Sequence, residues 1–267
     1  MVEIVFFLLG MCLGSFLNVI VLRVNEPHKY GDRKKVYEGI AWGRSKCPKC
    51  KKQIQWRDNI PLLSYIRLGG KCRNCRTTIS LQYPIVEVLL GILWLGVATA
   101  VTNGVWSLSQ AVFGSVILTL LAGLLISDLI FMTLPDVFMF PLFLLVVGLR
   151  IYSVGMSEWI IILPYIVSSL AAGITFFALW ALTSGHGMGF GDVEYVVIMG
   201  LLLGFPQIIV GLFIAFLSGA IVGLGLLLWR RKGWKSKLPF GPFLILGTVV
   251  AWGWGEKILS WYLMLGN

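Results

Sequence analysis

Two groups of side chains in this 267-residue chain are spaced for chemistry. The first is a pair of Cys-x-x-Cys motifs, CPKC at Cys47–Cys50 and CRNC at Cys72–Cys75, separated by 21 residues. Each motif supplies two thiolates from one tight turn, and two motifs at this spacing predict a tetrahedral four-cysteine zinc site. Lys46, Lys49, Lys71 and Arg73 flank the cysteines, favouring thiolate over thiol and offsetting the charge of the site. The alternative is two disulfides or four unrelated thiols; a cytoplasmic location argues against stable disulfides. Four thiolates would fill the coordination shell of zinc, so the predicted metal is structural. Cys12, the fifth cysteine, lies in an apolar run and reads as a small hydrophobe.

The second group is acidic. Of the 12 Asp and Glu residues, five sit within apolar sequence or at its edges: Glu87, Asp128, Asp136, Asp192 and Glu194. Ionisable groups are expensive in lipid and point to a pathway or an active site. Asp136 follows Pro135 at a helix start, where a carboxylate complements the helix dipole without further purpose. Glu87 enters an apolar run after Pro84 and either does the same or holds a polar contact between helices. Glu194, two residues beyond Asp192, faces elsewhere on a helix. Asp128 lies near the carboxyl end of its apolar run, where dipole and burial both disfavour a charge. Asp192 has the opposite placement, at a helix amino terminus. If the two meet, one holds a proton while the other is ionised, with Asp192 the expected ionised partner. That split suits an aspartyl protease, in which a carboxylate activates water and a protonated partner polarises the scissile carbonyl. A proton relay would use the same two acids, and the residues alone leave both readings open.

Asp192 ends the stretch GMGFGD, whose glycines are Gly187, Gly189 and Gly191. Without side chains there, an extended substrate backbone can approach the carboxylates closely. A phosphate loop is excluded by context, since no strand precedes the stretch and no G-K-[ST] follows. His186 has no ligand partner in view and reads as a loop residue.

The elements that must position these groups are membrane helices. Hydrophobic residues make up 58% of the chain and charged residues only 13%, against about 25% charged in soluble domains. Apolar runs near 4–22, 84–101, 109–131, 137–153, 159–182, 192–204, 207–229 and 241–264 predict an all-α polytopic membrane protein of about eight transmembrane helices. The first run contains Asn18 and lacks a basic start, so it reads as a retained span. The predicted organisation is a first helix over 1–22, a cytoplasmic four-cysteine module over 23–83 and a seven-helix membrane domain over 84–267. A module this small needs a staple such as a metal. The run after Asp192 is too short to cross a bilayer, so the aspartate should line a wet pocket covered by protein.

The formal net charge is +10, yet 15 of the 22 Lys and Arg residues lie between Arg23 and Arg76. Most of the rest form RRKGWKSK at Arg230–Lys237. This is the positive-inside signature of cytoplasmic loops rather than of nucleic-acid binding, and it puts Asp128 and Asp192 at the cytoplasmic side. Only Arg150 and Lys257 fall toward the outer side. The basic linker Asn25–Arg44 is expected to touch anionic membrane lipid.

GSFLNVIVLR at Gly14–Arg23, the two Cys-x-x-Cys pairs, NIPLLSYIRLGGKC at Asn59–Cys72, YPIVE at Tyr83–Glu87, SDLIFMTLPD at Ser127–Asp136 and GFGD stand in one order along the chain. In this combination the sequence resembles the bacterial type IV prepilin peptidases, GxGD-type membrane aspartyl proteases. The resemblance implies that Asp128 and Asp192 are the catalytic pair. It implies as substrate the basic leader of type IV prepilin or pseudopilin precursors, cleaved at the cytoplasmic face of the bacterial inner membrane. It also implies N-methylation of the new amino terminus with S-adenosylmethionine, for which Gly70 and Lys71 are the candidate contact; a peptidase without methylation is the alternative. Two rivals explain less: a proton-coupled transporter leaves the cysteine module unused, and a membrane-anchored zinc-finger interaction protein leaves Asp128 and Asp192 idle. The pilus, secretion or competence system served and the oligomeric state are not encoded in these motifs.

Overall fold

The computed structural model describes residues 1–25, 43–154, 159–228 and 238–265. Most of the basic linker and all of Arg230–Lys237 lie outside the described residues. Among those described there are nine α-helices and no strand, in two compact units, Met1–Gly123 and Leu124–Asn267.

The first unit pairs α1 (Val2–Asn25) with α3 (Gln82–Thr102). Gly10 and Gly14, four residues apart, bring the α1 backbone onto α3. A Cβ at Gly10 would stand 2.7 Å from the Leu90 carbonyl oxygen, and one at Gly14 2.8 Å from the Glu87 Cα. Gly91 reciprocates, its absent Cβ falling 2.8 Å from Met11 Cγ. Small residues spaced this way let membrane helices pack at backbone distance, where dispersion replaces the hydrophobic driving force that lipid cannot supply. Asn18 is fully buried in this seam; it donates to the Gly14 carbonyl at 3.2 Å and accepts from Gln82 Nε2 at 3.3 Å. Between these helices the chain forms the cysteine module, with a 3₁₀ turn at Trp56–Asp58 and the short α2 (Leu63–Arg67). The helix α4 (Leu108–Phe131) begins in this unit and ends in the next.

The second unit contains the end of α4, then α5 (Asp136–Val154), α6 (Leu163–Leu182), α7 (Phe190–Leu203), α8 (Gln207–Leu228) and α9 (Gly241–Leu265). Its centre is α7, which contacts α5, α6, α8 and α9. Val193, Val196, Met199 and Leu202 bury different faces of α7 at once, as expected of a helix hydrophobic all round and enclosed by others. A Cβ at Gly200 would come within 2.5 Å of the Ser169 Cα, so α6 and α7 touch along their backbones, and Ser169 Oγ donates to the Val197 carbonyl at 2.8 Å. Gly211 and Gly247 make a similar contact between α8 and α9.

Among the described residues, six helices are long and apolar enough to cross a membrane: α1, α3, α4, α5, α6 and α8. The other two expected spans differ for separate reasons. α7 has 14 residues, about 21 Å at ~1.5 Å per residue, and is sheathed by neighbouring helices instead of lipid. α9 has 25 residues but carries Glu256 and Lys257 in its length.

Candidate active site and metal centre

Asp128 sits one turn from the end of α4. The helix stops at Phe131, where Met132 turns into the left-handed region (φ 55°) and donates its N–H to the Asp128 carbonyl at 3.0 Å. The chain then runs through Leu134 and Pro135 into α5, whose first residue is Asp136, the helix-start position expected for it.

Asp192 is reached from the other direction. α6 ends with Gly185 at φ 73°, its N–H bonded back to the Trp180 carbonyl, a glycine closure of a helix end. The chain then passes His186, whose ring lies in this exposed turn, and enters α7 at Phe190. Asp192 Oδ2 accepts the Gly189 N–H at 3.2 Å, while the Asp192 N–H donates to the Gly189 carbonyl at 3.2 Å. The side chain thus satisfies a free donor at the start of its own helix.

Asp128 and Asp192 are 6% and 8% exposed, and the Asp128 charge lies within electrostatic reach of Asp192. The buried Oδ2 of Asp128 has no hydrogen-bond partner among the described residues. The amino terminus of α9 closes this side, with the Gly241 N–H facing the Asp128 carboxyl. Asp128 is therefore placed near the carboxyl end of one helix and the amino end of another, an arrangement invisible from its local sequence.

The three loop glycines have different neighbours. A Cβ at Gly189 would meet Asp192 Oδ2 at 3.7 Å, an ordinary contact beside the carboxylate. One at Gly191 would meet Leu134 Cβ at 3.2 Å, and one at Gly187 would meet Thr183 Cγ2 at 3.2 Å. Glu194 is exposed. Arg150, unassigned by sequence reasoning, lies across the far end of α7. Its guanidinium donates to the carbonyls of Leu201 and Leu202 and stacks 3.7 Å over the Tyr165 ring.

In the first unit, the Sγ atoms of Cys47, Cys50, Cys72 and Cys75 all lie within 4.8 Å of one another, a group able to hold a metal ion. The two motifs make the same turn. Lys51 and Arg76, each four residues after the first cysteine of its motif, both have φ 58° and donate to the carbonyls of Cys47 and Cys72. Backbone N–H groups of Cys75 and Asn74 bring the Cys72 thiol down to about 6, favouring the ligating thiolate. Asp58 braces the module: it takes Arg73 through two hydrogen bonds (2.8 and 2.6 Å) and Arg67 through one of 2.8 Å. Glu87, whose partner the sequence left open, is buried on α3 and accepts the Leu62 N–H at 2.8 Å. Gly69 and Gly70 take left-handed angles, and Gly70 lies against Tyr65, whose Oη would stand 2.9 Å from a Cβ there.

Comparison with known proteins decides the family. Residues 8–101 match the bacterial peptidase A24 N-terminal domain and residues 115–224 match the type IV leader peptidase family. An Aeromonas salmonicida protein called prepilin leader peptidase/N-methyltransferase is 33% identical over 279 residues, covering 96% of this chain and 92% of that protein. The chain belongs to the type IV leader peptidase family. Proteins with the same name from Pseudomonas aeruginosa (30% identical; 97% of this chain, 93% of that protein) and Bacillus subtilis (28% identical; 98% of each) extend the likeness. No solved structure matches the chain significantly. The leader peptidase match spans both Asp128 and Asp192, and the N-terminal match spans all four clustered cysteines.

Proposed function

We propose that this chain is a multi-pass membrane aspartyl endopeptidase that removes the basic leader from type IV prepilin-like precursors and N-methylates the new amino terminus. The observation that carries the reading is the convergence of two buried acids, Asp128 and Asp192, within electrostatic reach in one unit of a leader peptidase family member. Asp192, accepting the Gly189 N–H, acts as the carboxylate that activates water. Asp128, whose Oδ2 has no hydrogen-bond partner among the described residues, carries the proton toward the scissile carbonyl. Gly187, Gly189 and Gly191 form the edge along which the substrate strand approaches. The test is cleavage of a prepilin by Asp128→Asn and Asp192→Asn, each expected to lose on the order of 10²–10⁴-fold in rate. Normal processing by either folded variant would reject the pair.

Zinc is the proposed metal of the cysteine module. A Zn–S distance of ~2.3 Å in a tetrahedron requires sulfurs ~3.8 Å apart, and Cys47 Sγ and Cys75 Sγ are 3.8 Å apart. Zinc bound there would crosslink the two turns of the 23–83 module, while 84–267 carries the peptidase. Metal analysis of purified protein should return one zinc per chain, falling in Cys47→Ser. For methylation we propose the Gly70–Lys71 turn as the contact for S-adenosylmethionine, on the strength of its left-handed backbone and the exposed Lys71. Transfer of labelled methyl to cleaved pilin tests the activity, and Lys71→Ala tests the place; no transfer by the unmodified protein leaves a peptidase alone. The proposed location is the bacterial inner membrane with the acids facing the cytoplasm. Reporter fusions within 43–80 and within 103–107 should report opposite sides.

A further inference from the structure

Asp128 carries two local handicaps for an active acid. It lies near the carboxyl end of α4, where the helix's own carbonyls repel a negative charge, and its buried Oδ2 has no hydrogen-bond partner among the described residues. What meets that oxygen is the first residue of α9. A Cβ built on Gly241 would stand 2.5 Å from Asp128 Oδ2, closer than real Cβ atoms come, and 3.0 Å from its Cγ, so one of the two groups would have to shift. The next residue, Pro242, has no N–H and is suited to a first helical turn, so the Gly241 N–H belongs to the free donors at this end of α9. Leu134 completes the arrangement. Its Cδ2 would lie 3.4 Å from the same Gly241 Cβ, and its Cβ 3.2 Å from a Cβ on Gly191, next to Asp192. Leu134 thus stands between two glycines, each adjoining one of the acids.

We propose that Gly241 is a positioning residue for Asp128: its missing side chain is the space the carboxyl occupies, and the amino end of α9 holds that carboxyl in register with Asp192. This rests on the reading of Asp128 and Asp192 as the catalytic pair. An added methyl at 241 would drive the Asp128 carboxyl away, and a displacement of about 1 Å at a reacting group costs on the order of 10²-fold in rate. Substrate contacts made far from the acids would be untouched.

The experiment measures cleavage of a peptide with a basic leader and an apolar stem by the full chain in lipid. Gly241→Ala is expected to lower kcat about 10²-fold with KM within about twofold, because the lost interaction belongs to the transition state. Affinity for a hydroxyl-bearing isostere of the scissile bond should fall in parallel with kcat/KM. Gly253→Ala on the same helix, where an added Cβ meets nothing within 4 Å, should cleave as the unmodified protein does. A second measurement covers poor folding of Gly241→Ala. Its effect on the thermal midpoint is determined with Asp128 present and in Asp128→Ala, where the collision partner is gone. A shift that largely disappears in Asp128→Ala supports the contact; an equal shift in both backgrounds overturns it. Unchanged kcat in Gly241→Ala, with Asp128→Asn inactive, overturns the positioning role and leaves the catalytic pair standing. Full cleavage by Asp128→Asn overturns the pair and the positioning role together.

Discussion

Tyr195, three residues beyond Asp192, donates its phenolic O–H to Thr248 Oγ1 at 2.8 Å, and Thr248 in turn donates to the Leu244 carbonyl at 2.8 Å. Tyr195 is 1% exposed, so this short chain of hydrogen bonds joins α7 to α9 inside the core. It ties the helix that carries Asp192 to the helix whose first residue faces Asp128. Tyr195→Phe keeps the ring and removes the donor, leaving Thr248 its bond to Leu244. The expected cost is about 1 kcal/mol of stability, read as a lowered thermal midpoint in detergent. A midpoint equal to that of the unmodified protein would mean the bond contributes nothing.

Arg150 is predicted to matter through geometry as well as charge. It serves two carbonyls and one aromatic face at once. Lysine has no planar fork and cannot reproduce this. Arg150→Ala should cost about 1.5–3 kcal/mol, the range for hydrogen bonds to charged groups. Arg150→Lys should recover less than half of that loss in the same thermal assay.

Glu87→Ala strands the Leu62 N–H, whereas Glu87→Gln keeps an acceptor oxygen in place. Hydrogen exchange at the Leu62 amide should accelerate strongly in the alanine variant and only slightly in the glutamine variant. Equal acceleration would show that charge, not acceptance, holds the contact.

Asp58 yields a pH prediction. Its hydrogen bonds to Arg73, then the one to Arg67, hold its carboxyl below the usual carboxylate range of ~3.9. A group whose pKa is depressed by folding contributes stability above the unfolded value and loses it as pH falls through the folded one. A carboxyl ¹³C titration should place the Asp58 midpoint below that range. Arg73→Ala should raise it more than Arg67→Ala does.

The four-cysteine group was legible from its fixed spacing, and the burial of Asp128 and Asp192 from charges set inside apolar sequence, because both signals are local. The helices were legible for the same reason, down to the abnormal length of α7. Partners were not. Glu87 stood out as a buried acid, but Leu62 answers it with a backbone N–H, which leaves no mark in the sequence. Arg150 read only as a charge toward the outer side, because its carbonyl partners lie 51 and 52 residues away. Gly241 read as the first residue of a last span; only the packing of α9 brings it to Asp128. The Gly10–Gly14 pair carried a usable signal, since two glycines four apart in an apolar helix mark close packing.

A helix that ends within a bilayer leaves its last carbonyls without partners, and lipid offers no donor for them. α7 stops after 14 residues, and just past it the Arg150 cation occupies the helix-terminal carbonyls while the Tyr165 ring crowds Gly204, whose absent Cβ would fall 2.5 Å from Tyr165 Cδ1. The end of α7 away from Asp192 is thus capped by a cation and filled by an aromatic ring, so a helix too short to span a bilayer still has partners for its last carbonyls.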